Sequence, residues 1–132
     1  MHSNGFPNCF FIMNIIQSGF AVNFTHGLGD TAKHLAFIIS RALGEGIEAV
    51  EVSEEAEAEW VGRVVELASQ RGDFMQSCTP GYYNNEGKPG DASRQNSYFF
   101  GEPGEFMQTL KDCRAAGGLV GLDVRRGEPA DA

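Results

Sequence analysis

Seven consecutive residues constrain this chain more than any others: Phe10-Phe11-Ile12-Met13-Asn14-Ile15-Ile16, apolar at every position but one. Such a run has no polar side to turn to water. It reads as a strand covered on both faces, the kind found inside parallel sheets. Pro7-Asn8 marks a turn into it. An interior strand needs bonded neighbours on both edges, or its backbone groups go unpaired and its apolar surface is exposed. No two later segments make good parallel neighbours for it. The chain therefore reads as part of a fold.

The later segments supply helices and turns. Gln17-Ser18-Gly19-Phe20 is a loop, followed by a stretch of small and polar residues. Thr31 to Leu43 has helical period, with Ala32, Leu35, Ala36, Ile39 and Leu43 on one stripe and Ile38 and Ala42 at its edge. Asp30 is the N-cap this predicts, and Gly44 or Gly46 the stop. Ile47 to Val52 alternates apolar and acidic residues, as a short edge strand or extended link does. Ser53 caps a second helix, Glu54 to about Arg71, with Ala56, Trp60, Val64 and Leu67 in one row and Val61, Val65 and Ala68 beside it. Gly72 to Gly104 is mostly turn chemistry, with Tyr98-Phe99-Phe100 as a short strand. Glu105 to Ala116 is a third helix, turning in either Phe106, Leu110 and Cys113 or Met107 and Leu110. Leu119 to Val124 forms a last short strand, and 125–132 is a loose end. The fold class is an α/β fragment: one buried strand, three amphipathic helices and long Gly-rich loops. Residues 1–46 form a strand–loop–helix unit, and 47–132 the remaining helices and a long loop.

Composition narrows the function. The 132 residues suffice for one domain. The 18 acidic and 10 basic residues give a net charge of -8, which argues against nucleic acid and anionic membrane surfaces as partners. No stretch approaches the roughly 18 apolar residues of a membrane helix. No basic region precedes the first apolar run, so a signal peptide is not expected. Cys9, Cys78 and Cys113 are odd in number and widely spaced, fitting a reducing, cytoplasmic compartment and no zinc pattern.

Candidate chemistry is sparse. Gly27-Leu28-Gly29-Asp30-Thr31-Ala32 matches the letters of a dinucleotide-binding loop, but such glycines should follow a strand directly; a Gly-rich entry to a helix is the plainer reading. His2, His26 and His34 form no metal-binding spacing and read as surface or capping residues. No G-x-S-x-G elbow occurs. Trp60 reads as a core anchor, and Glu54, Glu55, Glu57 and Glu59 as a solvated helix face. Lys88, beside Asn84 and the tyrosines, is a lone cation suited to a phosphate or carboxylate, or a solvated lysine after a turn.

Several of these segments resemble, in order and spacing, the C-terminal part of Baeyer–Villiger monooxygenases. They are Gly5-Phe6-Pro7-Asn8 followed by Phe10-Phe11, Glu59-Trp60-Val61, Cys78-Thr79-Pro80-Gly81-Tyr82-Tyr83-Asn84-Asn85-Glu86-Gly87-Lys88-Pro89 and Gly117-Gly118-Leu119-x-Gly121. The resemblance runs from about Gly5 to Val124 and is nearest to the branch acting on large cyclic ketones and steroids. It implies FAD and NADPH as cofactors, Rossmann-like domains, and insertion of an oxygen atom beside a ketone to give an ester or lactone. It places 10–16 in the FAD domain's sheet. It gives Gln17, Ser18 and Asn23 a place beside the flavin, Gly19, Phe20 and Phe24 a place in the substrate pocket, and Asn84 and Lys88 a place in a segment that folds over NADP.

The same resemblance implies what this sequence lacks. The family's two G-x-G-x-x-G loops, its F-x-G-x-x-x-H-x-x-x-W signature and its flavin-side Arg have no counterpart here, and no catalytic residue is assigned. The reading is a monooxygenase section that is not active alone, with an N-terminal half missing. The other reading is a self-standing helical binding or scaffolding module, or a non-catalytic relic.

Overall fold

The computed structural model describes residues 1–12, 23–70, 77–88, 99–102 and 104–127. Helix α1 spans Phe24–Gly44, strand β1 Ile47–Val52, helix α2 Glu54–Gln70, helix α3 Glu105–Ala115 and strand β2 Leu122–Arg126, with a 3-10 helix over Tyr82–Gly87. The two strands pair antiparallel, with Val50 opposite Val124 and Val52 opposite Leu122. Each has five or six residues, too little sheet to be stable without helices against it. A core of Ile38 from α1 with Ile47 and Val50 from β1 supplies that packing, ringed by Phe10, Phe37, Ala42, Leu119 and Leu122.

Helix α1 begins two turns earlier than its periodicity suggests. Asn23, not Asp30, is the N-cap: its Oδ1 accepts the N–H groups of Thr25 and His26 at 3.0 and 3.4 Å. A good cap overrides the glycines that weaken the first turns. Gly27 and Gly29 therefore lie inside a helix, which removes the dinucleotide-loop reading. Phe24 is the first helical residue rather than the last of a loop. Asn23→Ala is expected to cost about 1 kcal/mol and to fray the first turn, as read by amide exchange at Thr25 and His26.

Helix α1 is also rotated from its expected facing. Its buried residues are Gly27, Asp30, Thr31 and Ile38. The predicted inward stripe is largely outward: Ala32 and Ala36 are exposed, Ile39 is 43% exposed and Leu43 78%. Thr31, fully buried, survives there because its hydroxyl donates to the carbonyls of Gly27 and Leu28. Helices α2 and α3 follow expectation more closely. Ser53 Oγ accepts the Ala56 N–H at 3.1 Å, Val64 and Ala68 are buried, and α3 buries the pair Met107 and Leu110.

The front of the long apolar run is not a buried strand. Phe10, Phe11 and Ile12 belong to no strand, and Phe11 and Ile12 are about half exposed; 13–16 lie outside the described residues. The free edge of β1 is occupied instead by Asn8. Its backbone N–H donates to the Val50 carbonyl (2.9 Å), its Oδ1 accepts the Val50 N–H (3.0 Å), and its Nδ2 donates to the Glu48 carbonyl (2.9 Å). Asn8 takes the left-handed conformation, φ 58°, that this docking requires; asparagine tolerates it better than most residues. Phe99 is buried, yet neither it nor Phe100 lies in a strand, and Tyr98 lies outside the described residues.

Candidate functional site

The residues expected to meet cofactor or substrate fall into three groups. Gln17, Ser18, Gly19 and Phe20 lie outside the described residues. Asn23 and Phe24 open α1, where Asn23 Oδ1 also accepts the Thr25 hydroxyl at 2.6 Å and Phe24 is half exposed. Asn84 and Lys88 belong to the 77–88 segment. No hydrogen bond among the described residues joins the second group to the third.

Asn84 is the centre of its segment. Its Oδ1 accepts the N–H groups of Gly81 (2.8 Å) and Gly87 (3.1 Å), and its Nδ2 donates to the carbonyls of Cys78 (3.3 Å) and Thr79 (3.1 Å). One amide thus stands in for a local backbone ladder. The bonds curl the chain tightly enough that Asn85 and Glu86 both take left-handed backbone, φ 53° and 55°, before Gly87 at φ 73°. A Cβ on Gly87 would meet Pro80 Cγ at 3.1 Å, so the curl also needs glycine there. Lys88 follows directly, exposed, its N–H donating to the Asn85 carbonyl. The sequence put Asn84 and Lys88 together as ligand-facing residues. The structure gives them different positions: the Asn84 amide is engaged within its own segment, whereas the Lys88 side chain is presented to solvent.

A cavity of about 400 Å³ lies between the N-terminal segment and the three helices. Its apolar wall includes Phe11, Trp60, Phe106 and Leu110, and its polar side His2, His34 and Glu57. Trp60 is held by stacking on Phe99, centroids 5.1 Å apart and planes 16° from parallel, and by a tilted contact with Phe106 at 5.7 Å. The core-anchor reading of Trp60 is thus half the account, because the ring also faces the cavity. Glu57 accepts the Ser3 hydroxyl (3.0 Å) and the Asn4 N–H (3.1 Å), tying the N-terminal segment to α2.

Two histidines read from sequence as surface or capping groups are partly buried here. His2 packs edge-on against Phe10 at 5.1 Å. Burial, with smaller contributions from the Met1 amino group and His34, pushes its pKa down to about 4. His34 stacks near Phe37 and is pushed down chiefly by burial, then by the Arg114 charge; its Nδ1 is buried and unpartnered among the described residues. His26 stays exposed, 3.5 Å from Asp30, as expected. In the unfolded chain His2 titrates near 6.5, so between about 4 and 6.5 the unfolded form binds more protons. Stability is therefore expected to hold above pH 6.5 and to fall as pH drops towards 4. Urea midpoints across that range check it, and His2→Phe should flatten the slope. Sequence alone carried no signal for the burial of His2 and His34, since part of what covers them comes from distant positions, His34 for His2 and Leu110 and Arg114 for His34.

Among the described residues no group of three or more His, Cys, Asp or Glu is placed to hold a metal. No helix there is long and apolar enough to cross a membrane.

No family model matches the chain. Individual relatives do. Pentalenolactone D synthase of Streptomyces exfoliatus is 44% identical over 122 residues, 92% of this chain and 21% of the relative. Baeyer-Villiger monooxygenase ATR8 of Stachybotrys chlorohalonatus is 38% identical over 129 residues, 97% of this chain and 20% of the relative. The chain is similar over nearly its whole length to part of such monooxygenases. The polycyclic ketone monooxygenase of Thermothelomyces thermophila superposes with a TM-score of 0.77 at 33% identity, over 95% of this chain and 20% of that one. The chain thus spans about a fifth of the length of the monooxygenases it matches. The small α/β arrangement of three helices and a two-stranded sheet among the described residues matches part of that monooxygenase structure.

Proposed function

We propose that this chain is the C-terminal section of an FAD- and NADPH-dependent monooxygenase that inserts oxygen beside the carbonyl of a cyclic ketone, and that it does not catalyse the reaction alone. The observation that carries the reading is the 44% identity maintained over 92% of the chain. Fold likeness alone would leave function open, because function lives in sites rather than folds. FAD would supply the oxygen chemistry, with NADPH as reductant, when both are bound. This chain's residues would bind and enclose. Residues 10–16 would lie in the Rossmann-like FAD domain. Gln17, Ser18 and Asn23 would sit beside the flavin, and Gly19, Phe20 and Phe24 would shape the ketone pocket.

The residues present fit a cofactor-enclosing role unevenly. Lys88, exposed and without an acidic partner among the described residues, suits a dinucleotide phosphate. Asn84, with both ends of its amide engaged, suits the task of holding Lys88's segment in shape. Closing that segment over the cofactor would exclude water from the reaction.

The purified chain mixed with FAD is expected to bind it weakly or not at all. Tight stoichiometric binding accompanied by ketone oxidation would overturn the reading. The in-frame codons upstream of Met1 give a second check, expected to encode the two G-x-G-x-x-G loops; a genuine stop and promoter there would favour a binding module or relic.

A further inference from the structure

Helix α1 buries its less apolar side. At about 100° per residue, Gly27, Thr31, His34 and Ile38 fall on one face, and Asp30 lies at its edge. This is the face turned to the core, with Asp30 4% and Thr31 0% exposed. The adjoining face, again about 100° wide, carries Leu28, Ala32, Leu35, Ala36, Ile39 and Leu43 without a polar interruption. Leu43 is 78% and Ile39 43% exposed, and Ala32 and Ala36 are exposed. A helix that faced only this core and water would carry the reverse arrangement. Polar residues would line the outer face, and the apolar row would be covered.

We infer that the Leu28–Leu43 face of α1 is a docking surface for the remaining four-fifths of the monooxygenase, whose apolar surface covers it in the complete enzyme. The inference rests on the monooxygenase reading above and adds the place where the two parts meet. The length argument supports this occupant: relatives carry some 80% of their residues outside the matched segment, which is 20–21% of each. Beyond Ala36 the face is flanked by Ser40 and Lys33, both exposed, giving the polar rim expected around a buried apolar patch.

The test is a full-length chimera in which this whole chain replaces the matched segment of the Streptomyces exfoliatus relative. The unsubstituted chimera is expected to purify with bound flavin. Ile39→Glu with Leu43→Glu should lower the yield of soluble, flavin-loaded chimera at least tenfold. Ser40→Glu, on the polar side of the same helix, should leave it unchanged. The same double variant in the lone chain should keep its helical circular dichroism, because neither side chain belongs to the chain's own buried core. If the chimera loads flavin and the double variant loads equally well, the docking face is wrong while the monooxygenase reading stands. If the unsubstituted chimera loads no flavin, the monooxygenase reading falls and takes the docking face with it. If instead the lone chain is a dimer that the double variant dissolves, and the chimera is indifferent to the substitutions, the occupant is a second copy and the inference is overturned.

Discussion

Ile38→Ala is expected to destabilise the chain by about 3 kcal/mol, within the range for large-to-small changes at a buried aliphatic site. Ile38 is 1% exposed and is the residue through which α1 reaches the sheet, packing with Ile47 and Val50. The cavity left behind has little chance to collapse. On one side is β1, held in register by β2 and by the Asn8 bonds to Val50; on the other is a helix fixed by its cap. A loss of this size is a large part of an ordinary domain's total of roughly 5–15 kcal/mol. It should lower the urea midpoint by about 1–2 M if the slope is near 2 kcal/mol/M. Leu43→Ala on the exposed face of the same helix should cost under about 0.5 kcal/mol. The contrast between the two substitutions tests the rotation of α1 directly. Equal costs would mean that the helix faces the other way.

Asn84→Ala is expected to release the 77–88 segment while leaving the rest folded. Among the described residues, four hydrogen bonds converge on this one amide. They hold two consecutive non-glycine residues, Asn85 and Glu86, in left-handed backbone, which costs about 1–2 kcal/mol per residue and persists only where surrounding contacts enforce it. Each bond contributes about 0.5–1.5 kcal/mol net. The variant therefore loses roughly 2–6 kcal/mol of local stability and has stored backbone strain to relieve. Amide exchange at Gly81 and Gly87, whose N–H groups donate to Asn84, should accelerate by more than an order of magnitude, with exchange in β1 unchanged. Unaltered protection at both glycines would remove Asn84 from its organising role. If the function proposed above holds, the same variant in a full-length monooxygenase is expected to weaken NADPH binding by misplacing Lys88, whereas Lys88→Ala should do so with the exchange pattern intact.

Much of the local structure was legible in the residues. Ser53 and the acidic first turn announced α2, Glu105 to Ala116 predicted α3 within a residue, and Ile47 to Val52, read as a short edge strand or an extended link, is a strand. These are short-range signals, set by capping, period and alternation. The long turn-rich segment was visible as turn chemistry, but its dependence on one asparagine was not, because four bonds from one amide leave no repeating pattern. Asn8 was legible only as a turn residue. Its service as a substitute strand along β1 depends on a partner some forty residues away.

The sequence by itself determined α2, α3, β1, the net acidic charge and the likeness that the relatives bear out, because these depend on neighbouring residues and on their order. It also showed that the chain carries more apolar surface than its own core needs. Only the tertiary structure decided which side of α1 meets that core. An apolar arc about 180° wide permits two facings with nearly equal local energies. The choice between them comes from Ile38 fitting against Ile47 and Val50, and Thr31 tolerates that facing because its hydroxyl is satisfied within the helix. The histidines became partly buried, with lowered pKa values, for the same reason: burial is a property of what packs across from a residue, and no local pattern records it.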